Sequence, residues 1–190
     1  MNALALSFGV VFLAELGDKS QLMALAFAAR YRALTVLVAV TVATLLVHAG
    51  SVLLGSVFAL ALPTRLIQGA AGVAFFGFAA WTLRGDTLGE HDRSRATRTG
   101  RWAVLTIGSA FFLAELGDKT MLATVTLATT QEPWGTWLGS TIGMVAADAI
   151  AIVVGAVLGT RLPERAIGLF AAAAFLVFGA LLLAEGLRLI

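Results

Sequence analysis

Cysteine is absent, which excludes thiolate metal sites, disulfides and iron–sulfur clusters. Charge is scarce. Asp, Glu, Lys and Arg make up 13% of the 190 residues, where a soluble domain would carry about 25%. The net charge is only +2, and no basic patch suited to nucleic acid is visible. No nucleophilic or redox constellation is present either, so the chain is not expected to be an enzyme. The start of the chain has neither the basic region nor the cleavage site of a signal peptide, so its first apolar run is expected to persist as a helix.

Apolar residues fill the space that charge leaves. They make up 59% of the sequence, and mean hydropathy is +0.94. Apolar stretches of about 18 residues or more recur, the pattern of transmembrane helices. The expected fold class is an all-α integral membrane protein with six transmembrane helices. The spans read as about 3–29, 34–62, 65–83, 102–129, 136–159 and 166–187. Turns are expected at Pro63, at Gln131-Glu132-Pro133-Trp134 and at Pro163, because proline starts helices better than it continues them.

The first three spans and the last three are one unit used twice. Phe12-Leu13-Ala14 matches Phe112-Leu113-Ala114, Gly55 matches Gly155, Leu62-Pro63 matches Leu162-Pro163, and Arg65 matches Arg165. Residues 1–84 form the first repeat, 85–101 a charged linker and 102–190 the second repeat, all in one membrane domain. Three spans per repeat is an odd number, so the second copy enters from the opposite side. The arginines agree. Arg30, Arg32, Arg84, Arg93, Arg95, Arg98, Arg101, Arg161 and Arg165 fall on one side, against Arg65 and Arg188 on the other. The positive-inside rule then puts the linker in the cytoplasm and both termini outside. Two inverted three-helix repeats follow, an architecture that places transporter sites near the midplane. A stripe of small residues at Gly135, Gly139, Gly143, Ala147, Ala151, Gly155 and Gly159, with Ser51, Gly55 and Ala59 in the first half, is expected to let backbones approach closely.

Against this apolar background one motif stands out. Glu15-Leu16-Gly17-Asp18-Lys19-Ser20 interrupts the first span, and Glu115-Leu116-Gly117-Asp118-Lys119-Thr120 interrupts the fourth. A charged residue at the bilayer centre costs about 2.5–3.5 kcal/mol on insertion scales, so each motif is a functional candidate. In a continuous helix Glu15 would lie over Asp18 and Lys19, and Glu115 over Asp118 and Lys119. Inverted symmetry would then gather four carboxylates in one small volume. Hard divalent cations favour such oxygen ligands. Four carboxylates and two ammonium groups sum to −2, which one divalent cation neutralises. Gly17 and Gly117 can loosen the helix and offer backbone carbonyls, and Ser20 and Thr120 add hydroxyl oxygens. The competing reading is that Glu15–Lys19 and Glu115–Lys119 are intrahelical ion pairs. That explains neither Asp18 and Asp118 nor the repetition.

His48 and Asp148 occupy one position in the two copies, mid-span, and are candidates for a proton carrier or an additional ligand. Glu90, His91 and Asp92 read as solvated linker, and Glu185 as an interfacial residue. Met121, opposite Gln21 of the first copy, could offer a soft contact that favours Mn²⁺ over Ca²⁺.

Two Glu-x-Gly-Asp-(Lys/Arg)-(Ser/Thr) motifs in a small duplicated six-span chain resemble the manganese/calcium exchanger family. It includes the Golgi manganese/calcium transporters and bacterial manganese exporters. The resemblance covers essentially the whole chain. It implies that Glu15, Asp18, Glu115 and Asp118 bind the cation and that Lys19, Ser20, Lys119 and Thr120 complete the motifs. It also implies export of Mn²⁺, or Ca²⁺, from the cytoplasm in exchange for protons across the inner (plasma) membrane. The partners expected are the lipid bilayer, a divalent cation as transported substrate, and protons. No cofactor is expected, and a homodimer is left open. A channel using the same carboxylates, a basic amino-acid exporter and a membrane scaffold are the alternatives.

Overall fold

The computed structural model describes residues 2–84, 103–158 and 164–188. The expected linker with Glu90, His91 and Asp92 lies outside the described residues, as do Gly159, Arg161 and Pro163 and the side chains of Glu164, Arg165 and Glu185. Eight helices are described. They are α1 (Ala3–Glu15), α2 (Lys19–Ala28), α3 (Ala33–Ala61), α4 (Thr64–Arg84), α5 (Ala103–Glu115), α6 (Lys119–Thr130), α7 (Pro133–Leu158) and α8 (Glu164–Arg188). Among the described residues, three apolar stretches are long enough to cross a membrane: Ala33–Ala61, Thr64–Arg84 and Pro133–Val153. The described residues are all-helical, an architecture consistent with a membrane protein.

The helix ends follow local chemistry. The Asn2 side chain accepts a hydrogen bond from Leu4 N at 3.1 Å and caps α1. Pro63 separates α3 from α4, as its missing N–H predicts. Pro133 opens α7, where the Glu132 carboxylate accepts from Trp134 N at 2.7 Å and Gly135 N at 2.6 Å. A carboxylate at a helix start satisfies orphan donors and suits the helix dipole.

Two expected continuous helices are not continuous. The first apolar run breaks into α1 and α2, and the fourth into α5 and α6, both at the acidic motif. Gly17 has φ +78° and Gly117 φ +80°, the left-handed region that glycine enters without steric cost. The breaks therefore correct the reading that stacked Glu15 over Asp18 and Lys19 on one helical face.

The halves pack reciprocally: α1 lies along α7, and α3 packs against α5 and α6. Added Cβ atoms show how close these backbones are. At Gly143 a Cβ would fall 2.6 Å from Phe8 O, at Gly135 2.9 Å from Leu4 N, and at Gly139 against the Leu4 backbone. The small-residue stripe thus holds α1 on α7, in keeping with its expected packing role. Two contacts join a residue to its own counterpart one hundred positions on. Thr44 Oγ1 lies 3.5 Å from Met144 Sδ, and the Phe75 and Phe175 ring centroids are 5.8 Å apart. Phe75–Phe178 at 6.2 Å and Phe78–Phe175 at 5.9 Å then exchange partners. Self-meeting and exchanged pairs mark an approximate two-fold axis through α3/α7 and α4/α8.

Candidate functional site

Each motif sits where one helix ends and the next begins. Glu15 and Glu115 are the last residues of α1 and α5, while Asp18 and Asp118 stand at the N-caps of α2 and α6. Asp18 N bonds to Glu15 O at 3.0 Å and Asp118 N to Glu115 O at 3.1 Å, so both breaks are built alike. Neither aspartate caps its own helix. Their carboxylates turn elsewhere.

They turn to the opposite motif. Lys19 Nζ lies 2.8 Å from Asp118 Oδ1, and Lys119 Nζ lies 2.5 Å from Asp18 Oδ1. The pairs cross between halves rather than running Glu15–Lys19 and Glu115–Lys119 within one helix, so the intrahelical alternative does not hold. The physical reason is the break, which removes the i,i+4 stacking that such a pair requires.

All four expected ligands are buried, with Glu15 and Asp18 at 0%, Glu115 at 1% and Asp118 at 2% exposure. Glu15, Glu115, Asp18, Asp118 and Asp148 lie close enough for mutual electrostatic repulsion. Neither oxygen of Glu15 nor of Asp148 has a hydrogen-bond partner. A buried carboxylate left so is costly and needs a proton or a cation. Thr120 Oγ1 donates to Glu115 Oε2 at 3.0 Å, whereas Ser20 Oγ donates to Asp18 Oδ2 at 3.2 Å. The two hydroxyls thus serve different carboxylates. Among the described residues no three His, Asp or Glu side chains converge tightly enough to hold a metal ion. The carboxylates are gathered, but lysines hold two of them.

His48 and Asp148 are fully buried on α3 and α7. His48 Nδ1 lies 3.4 Å from Thr141 Oγ1, and its Nε2 has no partner. Asp148 lies within electrostatic reach of Asp18, so it belongs to the acidic cluster.

Sequence reasoning gave Gln21 no role of its own. Its Oε1 accepts from Gly17 N at 2.8 Å, and its Nε2 donates to Ala147 O at 3.0 Å. One side chain therefore ties the first break to α7 beside Asp148. In the second half Met121 Sδ takes the same place, 3.1 Å from Gly117 N, as a weaker acceptor with no donor to pass on. The signal available was an amide four residues after the motif glycine in an otherwise apolar run.

The sequence matches the divalent cation/proton antiporter GDT1 family over residues 3–90 and 103–189. It is 36% identical over 180 residues to a Vibrio cholerae protein named "Putative manganese exporter", an overlap of 93% of this chain and 88% of that one. A GDT1-like protein of Synechocystis is 29% identical over 187 residues, with 89% and 90% covered. Protein PAM71 of Arabidopsis thaliana chloroplasts is 31% identical over 211 residues, which is 97% of this chain but 57% of that longer protein. No solved structure matches the chain significantly. With the match spanning both halves and both motifs, the chain belongs to the divalent cation/proton antiporter GDT1 family.

Proposed function

We propose that the chain exports a divalent cation, Mn²⁺ foremost and Ca²⁺ second, from the cytoplasm in exchange for protons. The cation is substrate, held in transit by Glu15, Asp18, Glu115 and Asp118. Two inverted three-helix repeats, residues 1–84 and 102–190, rock about that site and expose it to each side in turn. The linker at 85–101 lies in the cytoplasm and both termini outside, in the inner membrane. His48 and Asp148 carry the returning protons.

The observation that carries this reading is the reciprocal pairing of the motifs, Lys19 with Asp118 and Lys119 with Asp18. It brings two acidic helix breaks to one buried place, and neither half holds that place alone. Helix breaks at such a depth leave backbone carbonyls and helix termini facing the ion path. The preference for Mn²⁺ rests on the name of the Vibrio relative and on the motif resemblance. The experiment is uptake into proteoliposomes, with Mn²⁺ and Ca²⁺ compared across an imposed pH gradient. Asp18→Asn and Asp118→Asn are each expected to abolish gradient-driven Mn²⁺ flux; full flux in both would show the site to be elsewhere.

A further inference from the structure

We propose that Lys19 and Lys119 are tethered counter-cations of the unloaded site, and that a divalent cation enters by displacing them from Asp118 and Asp18. The proposal rests on the transport site assigned above and deepens it.

Lys19 passes over the acid one helical turn before it. Glu15 lies four residues before Lys19 and keeps both oxygens without a hydrogen-bond partner, yet Lys19 crosses to Asp118 at 2.8 Å. Lys119 likewise crosses to Asp18 at 2.5 Å. A brace within one half would not need this choice. A positive charge placed between the halves, on the oxygens a transported ion would use, does need it.

Coordination chemistry gives the consequence. A divalent cation of this class seeks about six oxygens. An aspartate oxygen held by an ammonium is lost to the metal, which accounts for the absence of any three converging acidic or imidazole side chains among the described residues. Loading is therefore an exchange of cations at Asp18 and Asp118. The lysines leave, and the aspartates close on the ion beside Glu15 and Glu115. When the ion departs, the lysines return. The aspartates are thus never left buried with bare charge, a state that protein interiors do not tolerate cheaply. The empty site can then cross between its two orientations with two of its acids already neutralised.

The two lysines are not equally accessible. Lys19 keeps 21% of its side chain exposed and Lys119 only 4%. Lys19 is thus the better position for a variant that leaves folding intact.

The test uses full-length protein, with radioactive Mn²⁺ binding in detergent and Mn²⁺/proton exchange in proteoliposomes. Lys19→Gln removes a competitor and takes the formal charge of the two motifs, counted without Asp148, from −2 to −3. It is expected to tighten Mn²⁺ binding about tenfold or more while maximal exchange falls at least tenfold, because the ion is no longer expelled. Lys19→Arg, which keeps the charge, is expected to return the affinity toward that of the wild type. A purely structural lysine would lower binding and exchange together, and Lys19→Gln binding that is equal to or weaker than wild type overturns the proposal. A second readout needs no variant. Saturating Mn²⁺ frees the Lys19 amine, so its labelling by an amine-reactive ester, read by mass spectrometry, is expected to rise severalfold; unchanged labelling counts against displacement. Asp18→Asn and Asp118→Asn separate the two levels. If they bind Mn²⁺ as the wild type does, the site itself is wrong. If they lose binding while Lys19→Gln fails to gain it, only the lysine role falls.

Discussion

Replacing Gly117 by alanine isolates the contribution of the helix break. Gly117 holds φ +80°, and a Cβ added there would meet no atom within 4 Å. Overpacking is therefore excluded, and what remains is backbone strain. An L-residue in the left-handed region costs about 1–2 kcal/mol. For a chain of this length each kcal/mol lowers Tm by about 2–4 °C. Gly117→Ala is thus expected to melt about 2–8 °C below the wild type in detergent, followed by intrinsic fluorescence. Alanine also prefers an uninterrupted helix over glycine by about 1 kcal/mol, which pulls α5 and α6 toward one rod. Straightening would carry Asp118 away from Lys19, so Mn²⁺ uptake into proteoliposomes is expected to fall with the melting temperature. Asparagine visits the left-handed region more readily than alanine, so Gly117→Asn is expected to recover much of both losses. Wild-type melting in Gly117→Ala, with no advantage for asparagine, would refute the claim that a positive φ holds the motif in place.

Three further outcomes follow from the packing. Gln21→Leu removes the bonds to Gly17 N and Ala147 O, and leaving those groups unpaired is expected to cost about 1–3 kcal/mol, read as a lower melting temperature; Met121→Leu, lacking only a thioether contact, is expected to cost far less. Gly143→Ala places a Cβ 2.6 Å from Phe8 O, so α1 and α7 must part, at about 1–3 kcal/mol for an overpacked contact. A Gly143→Ala protein as stable as the wild type would contradict the close approach. Asp148→Asn is expected to keep Mn²⁺ binding within a few fold yet weaken the dependence of exchange on the imposed pH gradient; undiminished coupling would remove Asp148 from the proton route.

The offset of one hundred, the two motifs and the small-residue stripe are all legible in the sequence, because each is a pattern of residue types. Lys19 and Lys119 were legible as charges but not as partners. The i,i+4 rule assigns partners only along an unbroken helix, and Gly17 and Gly117 end the helix one position before each Asp-Lys pair. Residue type marks both glycines as points of loosening, but the sign of φ is a property of the folded chain rather than of composition. Gln21 was harder still. Its importance lies in reaching Ala147 across 126 residues of sequence, and no local periodicity encodes such a reach. The Phe75, Phe78, Phe175 and Phe178 cluster is a similar case, since its order shows only when the two halves are superposed on their axis.

Crossed pairing also governs how such a chain can change over generations. A charge altered at position 18 finds its compensator at position 119, and one altered at 19 finds it at 118, so the tightest bonds of descent run between the halves. Where those positions do vary among descendants, they are expected to vary as couples. A half on its own inherits half of each couple. The heritable unit is the matched pair of halves, whether they are carried on one polypeptide or on two.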